Sequence, residues 1–298
     1  MSKSGAVRLA VALLAGVVGA RAGAAVSHEG EARAVLRAAL SDEHRWVRVH
    51  AAEVLLEFGE RASVAEAFVR EEARHRGEAG YRVGVWRVLA QARPAERAAW
   101  HGRVLAVFCD EAAADRLFAA ETLAKLGDPL SVDARAALRR WAAKAPPAER
   151  VLLNWLEWQG GDAGARGRLV EALGEADAVA RLRAAFVLRF TGTKEPAALA
   201  ALGAAADREL EGAASRAFVV GAAYALGASA ERMPVWREIL EETARSGPPA
   251  EAYEALQALR SGAGRAELEQ MRPMLEHAHG DIRVAAAWLI LAVVRREP

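Results

Sequence analysis

The stretch Asp42-Glu43-His44-Arg45-Trp46-Val47-Arg48-Val49-His50-Ala51-Ala52-Glu53-Val54-Leu55-Leu56-Glu57-Phe58-Gly59 decides the fold. Val47, Ala51, Val54, Leu55 and Phe58 recur at three- and four-residue spacing, which is one face of an amphipathic helix. Asp42 stands where a helix start wants a capping acceptor, and Gly59 where a helix end wants left-handed backbone. The same grammar returns in Asp115-Arg116-Leu117-Phe118-Ala119-Ala120-Glu121-Thr122-Leu123-Ala124-Lys125-Leu126-Gly127 and in Asp281-Ile282-Arg283-Val284-Ala285-Ala286-Ala287-Trp288-Leu289. Pro146-Pro147 and Pro248-Pro249 supply the start signal elsewhere, since the first helical turn does not need their missing N–H.

Outward from this unit, arginines keep a beat: Arg48, Arg82, Arg116, Arg150, Arg181, Arg216 and Arg283, with Glu251 on the one vacant position. The gaps run from 31 to 35 residues, and Gly59, Gly127, Gly161, Gly192, Gly227 and Gly262 each follow a beat by 11 residues. Such a period marks a repeat array. Between the beats lie further helical stretches: Glu31–Leu40, Ala62–His75, Ala95–Phe108, Val132–Lys144, Gly164–Leu173, Ala197–Ala206, Pro234–Arg245 and Arg265–Ala278. Each outer helix with the inner one that follows makes a hairpin. Ala51, Ala52, Ala119, Ala120, Ala184, Ala185, Ala286 and Ala287 let neighbouring inner helices approach. Neither helix of a pair can bury its face alone, so stacking supplies the core.

The order Asp, Val-Arg, Ala-Ala, Leu and Gly resembles HEAT repeats of the short bacterial kind, the phycobilisome-lyase-type HEAT-like repeats, over about residues 30–298. The expected fold is therefore all-α: a right-handed α-solenoid of about eight helical hairpins over 26–298, preceded by a signal peptide at 1–25. The resemblance implies an arginine ladder between adjacent repeats and names no single activity, because such repeats serve many purposes.

Composition agrees with helices: 53% of residues are hydrophobic and 6% aromatic. Only four of the 40 basic residues are lysine (Lys3, Lys125, Lys144 and Lys194), which points to base composition of the genome rather than to function. Beyond the first 25 residues the chain carries 37 basic and 39 acidic residues, which is not the footprint of a nucleic-acid binder. Cys109 is the one cysteine; it excludes an intramolecular disulfide and reads as a small buried residue. Met1–Arg8 carries two positive charges, Leu9–Ala20 is apolar throughout, and Ala22-Gly23-Ala24 offers a cleavage site before Ala25. That is the layout of a secretory signal peptide, and it places the mature chain in the periplasm or outside the cell with no membrane span. The alternative is an N-terminal capping helix.

No catalytic constellation stands out. The seven histidines give no H-x-x-x-H or H-E-x-x-H pattern. The di-iron hydroxylases among HEAT proteins need repeated His-Glu pairs, whereas His28-Glu29 is the one instance here. Nucleophile-elbow, Walker and dinucleotide motifs do not occur. The expectation is no catalytic residue, no metal and no cofactor. The arginines of the beat oppose the helix dipole, so they call for partners; a structural ladder and a row of anion-binding groups are the two readings.

Two columns break the regularity. Two and five residues beyond each beat, the first repeats place His50, Glu53, Gly84 and Arg87; later ones each place an aromatic: Phe118, Trp155, Phe186, Phe218, Tyr253 and Trp288. These aromatics, with His50, Glu53 and Arg87, are the candidate binding residues of the concave surface, unless the columns are buried between tightly coiled repeats. The leading functional expectation is an exported, non-catalytic scaffold that binds a protein partner through this surface. The alternative is an accessory protein for a glycan or small ligand, with Trp155 and Trp158 as stacking platforms. A lyase-type enzyme comes third.

Overall fold

The computed structural model describes residues 28–210 and 216–296. The signal-peptide reading of residues 1–25 lies outside the described residues. Among the described residues every regular element is helical. Eight inner helices carry the beats: α2 (Arg45–Glu57), α4 (Tyr81–Ala92), α6 (Arg116–Leu126), α8 (Pro147–Gln159), α10 (Ala178–Phe190), α12 (Arg216–Leu226), α14 (Pro249–Leu259) and α16 (Gly280–Arg296). Each follows an outer helix: α1 (28–39), α3 (Arg61–His75), α5 (Arg97–Cys109), α7 (Val132–Ala142), α9 (Ala163–Glu171), α11 (Pro196–Leu210), α13 (Met233–Ser246) or α15 (Arg265–Met271). No described helix is long and apolar enough to cross a membrane.

Local chemistry sets the ends. Ser131 accepts from the Ala134 N–H to open α7, and Asp177 accepts from those of Val179 and Ala180 to open α10. Gly59, Gly127, Gly161, Gly192 and Gly227 stop inner helices at φ between 65 and 94°. The paired alanines Ala51/Ala52, Ala119/Ala120, Ala184/Ala185 and Ala286/Ala287 are all fully buried, so close helix approach is their contribution.

Each inner helix packs against the next, α2 on α4 through to α14 on α16, and α16 then packs on α2. The inner helices thus form a closed circuit. Contacts between like ends show that α14, α16 and α2 run in the same direction: Tyr253 and Asp281 meet His50 near their starts, and Arg260 meets Glu57 near their ends. The seam is tight. A Cβ at Gly280 would lie 2.9 Å from both methyls of Val47, so only glycine lets α16 approach α2 this closely. Arg283 donates to Asp42 across the seam at 2.7 Å, as Arg82 donates to Asp115 in the following repeat at 2.7 Å. Among the outer helices and their turns, Arg272 reaches Glu31 at 3.0 Å.

Six of the seven beat arginines divide into two sets. Arg48, Arg82, Arg181 and Arg283 reach carboxylates of the next repeat in the circuit: Glu71, Asp115, Glu209 and Asp42. Arg116 and Arg150 reach no such carboxylate and donate to carbonyls of their own repeat, Phe108 in α5 and Ala145 after α7, so the expected bridge to an adjacent repeat is not uniform. A carbonyl of the same repeat does not exclude the bridge, since Arg48, Arg181 and Arg283 donate to such carbonyls as well, at Asp42, Glu175 and His277.

Candidate functional site

Closure turns the concave face into the wall of a lumen. Much of its lining comes from helix positions two, five and nine residues beyond the beat, which share one face. A cavity of about 960 Å³ occupies it. Phe186, Phe190, Phe218, Tyr253 and Trp288 form its apolar wall; Glu53, Glu57, Glu121, Lys125, Arg189, Glu254, Arg260, His50 and Asp281 its polar one.

The lumen is narrow enough for side chains of alternate helices to meet. Trp46 of α2 stacks on Phe118 of α6 with ring centroids 5.5 Å apart. Lys125 of α6 lies 5.2 Å over the Phe186 ring of α10. Arg189 of α10 donates to Glu254 of α14. His50 of α2 stacks on Tyr253 of α14 at 5.3 Å and pairs with Asp281 at 2.8 Å. Small residues between them make room: a Cβ at Gly84 of α4 would press on Trp46 at 3.0 Å, and one at Gly221 of α12 on Ala258 at 3.0 Å. A second circuit, α2–α6–α10–α14, is thereby tied across the first.

Charge is matched locally. Arg87 donates to Glu53 at 2.5 Å and to the fully buried Thr122 at 3.2 Å. Lys125 pairs with Glu121 at 2.7 Å. Burial would push the Glu53 carboxyl up, but Arg87, Lys125 and His50 outweigh it and hold the group below its ordinary value. Burial likewise opposes ionisation of Glu121, and Lys125 and Arg87 overcome it. The Tyr253 phenol is pushed up by burial and by Glu254, Glu53 and Asp281, so it stays neutral.

Several sequence candidates sit elsewhere than expected. Trp155 is fully buried, with Phe190 and Phe186 edge-on to it at 5.1 and 6.0 Å, so it underlies the lumen and offers no stacking face. Trp158 packs against the core with Arg166 over its ring, outside the cavity lining. Arg87 is 4% exposed and belongs to the scaffold, its Nε donating to Glu53 and its Nη1 to Thr122. Phe118 is 46% exposed but stands at the rim on Trp46, beside Gly80 and Tyr81. Cys109, read as buried, is exposed: Trp100, Val104, Val107 and Phe108 take the inward positions of α5 and leave its last residue to solvent. Phe186, Phe218, Tyr253, Trp288, His50 and Glu53 do come together.

Sequence reasoning missed Glu57, Lys125, Phe190 and Arg260. All four stand nine residues beyond a beat, at Arg48, Arg116, Arg181 and Glu251. Extending the two columns by one further helical turn finds them.

Fold and site together define an all-helical ring of antiparallel helix pairs around a cavity of ligand size. No protein-family model matches the chain, and no curated protein matches it.

Proposed function

We propose that the protein is an exported, non-catalytic binding protein, an α-solenoid of HEAT-like repeats closed on itself, that holds a small apolar-bodied ligand in its lumen. The observation that carries this reading is the aromatic-lined cavity of about 960 Å³. Small-molecule sites span roughly 300–1,000 Å³, lined by apolar side chains with a few polar groups. A folded protein partner needs about 800 Å² from each side, which a lumen bridged from alternate helices does not offer. The sequence thus favoured a partner protein on the concave side, and closure moves the balance to its alternative, a small ligand. Export is supported by the basic start and apolar run of residues 1–25.

Titration with the neutral fluorophore N-phenyl-1-naphthylamine tests the lumen. Saturable binding at one site, weakened by Phe190→Ala and Phe218→Ala, is the expected result. No saturable binding to the folded protein sinks the reading. Fractionation of a tagged protein tests export, and a full-length chain in the cytosol overturns it.

The protein-partner reading keeps one observation in its favour, the exposed Phe118 stacked on Trp46 at the rim. If the rim takes a peptide, Phe118→Ala abolishes its capture and leaves dye binding in the lumen unchanged.

A further inference from the structure

One end of the lumen opens on a basic space. Toward the C-terminal ends of the inner helices the cavity continues into a second space of about 450 Å³, lined by Arg189, Lys194, Arg260, Arg295 and Arg296 and by one acid, Glu57. The two spaces share Arg189, Arg260, Gln257 and Glu57. The second lining carries an excess of four positive charges, or three once Glu254, which Arg189 holds, is counted.

Part of this excess is structural. Lys194 donates to the Leu226 carbonyl and Arg296 to those of Ser261 and Ala263, where cations complement the helix dipole. Arg260 is different. Its guanidinium lies 4.0 Å over the Trp288 ring, its contact with Glu57 is 3.8 Å and outside hydrogen-bond length, and its Nε is buried without an acceptor among the described residues. Burial and the nearby Arg189 and Arg296 disfavour its charge. A buried N–H left without an acceptor is costly, and a guanidinium stacked on an indole presents its donor edge to a planar oxyanion.

The geometry points to an amphipathic anion as the ligand: an apolar or aromatic body among Phe190, Phe218, Tyr253 and Trp288, and a carboxylate, sulfonate or phosphate head on Arg260 at the basic mouth. This rests on the reading that the lumen holds an apolar-bodied ligand. The head accepts from the Arg260 edge and offsets the positive excess, while the body displaces water from the aromatic wall.

Paired dyes test it. 1-Anilinonaphthalene-8-sulfonate and N-phenyl-1-naphthylamine share a body and differ by the sulfonate. At low salt the sulfonate binds about tenfold tighter, the scale of one charge-assisted hydrogen bond. Arg260→Gln brings the ratio of the two affinities close to one, and Arg260→Lys restores part of it. If the neutral dye binds and the sulfonate binds no tighter, or if Arg260→Gln weakens both equally, the anion proposal is overturned and the lumen reading stands. If neither dye binds, the lumen reading itself falls. Should Arg260→Gln not fold, the ratio of the two dyes on the wild-type protein decides, together with its loss at high salt.

Discussion

Arg283 donates to Asp42 at 2.7 Å although 241 residues of sequence separate them, and the Asp42 side chain is 9% exposed. This pair does at the seam what Arg82 and Asp115 do one repeat apart. The last repeat therefore meets the first as one repeat meets its successor. An open array buries its terminal faces only by special capping repeats. Here the two terminal faces cover each other.

The seam can be opened by volume. Gly280→Leu drives a side chain into Val47, where even a Cβ falls at 2.9 Å. Overpacking of this kind costs about 1–3 kcal/mol, which is enough to separate α16 from α2 if the seam is the weakest joint. Small-angle scattering should show a larger radius of gyration for Gly280→Leu than for the wild type, with helix content by circular dichroism unchanged. An unchanged radius in a folded variant would contradict closure.

The Asp42–Arg283 pair should show coupling. Asp42→Asn and Arg283→Gln are each expected to lower stability by about 1–2 kcal/mol, and the double variant by less than the sum. Urea unfolding midpoints of the four proteins give the coupling energy directly.

Trp155 and Phe118 belong to the same pair of sequence columns, yet their truncation should differ severalfold. Trp155 is fully buried beneath Phe186 and Phe190, so Trp155→Ala leaves a cavity and costs about 3–5 kcal/mol. Phe118 is 46% exposed, and Phe118→Ala loses little more than its stack on Trp46, about 0.5–1.5 kcal/mol. Equal losses in denaturant unfolding would mean that the rim is packed as tightly as the core.

This contrast marks how far the sequence could be read. The inner helices were legible because a helix face, a start signal and a closing glycine repeat on one period, as in Arg48 with Gly59 and Arg116 with Gly127. Four of the five lumen aromatics were legible from the same ruler; Phe190 lies one turn beyond it. Closure was not legible, since curvature accumulates over all the pairs and no single repeat contains it. His50 has no visible partner in its own neighbourhood; Asp281 reaches it only when the circuit is complete. The burial of Trp155 has a local cause that spacing along one helix also hides: Phe186 and Phe190 of the adjacent α10 lie edge-on to it.

Cys109 should react. The residue is exposed at the end of α5, and the partial loss of water around its thiol is the leading cause that raises its pKa above the ordinary value. Native protein is expected to give one equivalent of thiol to Ellman's reagent, slowly near neutral pH and faster as pH rises, because the thiolate is the nucleophile. Reaction only after denaturant would return the residue to the core.

Acid should loosen the ring through its paired carboxylates. Burial works against ionised Glu53, Glu121 and Asp115, but Arg87, Lys125 and Arg82 respectively overcome it, so all three titrate below their ordinary values of 4.5, 4.5 and 3.8. A carboxyl depressed in the folded state contributes stability that is fully present above its unfolded value and is lost as pH falls through the folded one. Thermal stability is therefore expected to hold between pH 7 and about 5 and to decline steadily below about 4.5. Arg87→Met removes the largest counter-charge of Glu53 and leaves that carboxylate facing Glu121. Its acid limb should begin at higher pH, with about 1–3 kcal/mol already lost at pH 7. Melting curves by circular dichroism across this range would show it, and an acid limb unmoved in Arg87→Met would remove Glu53 from the account.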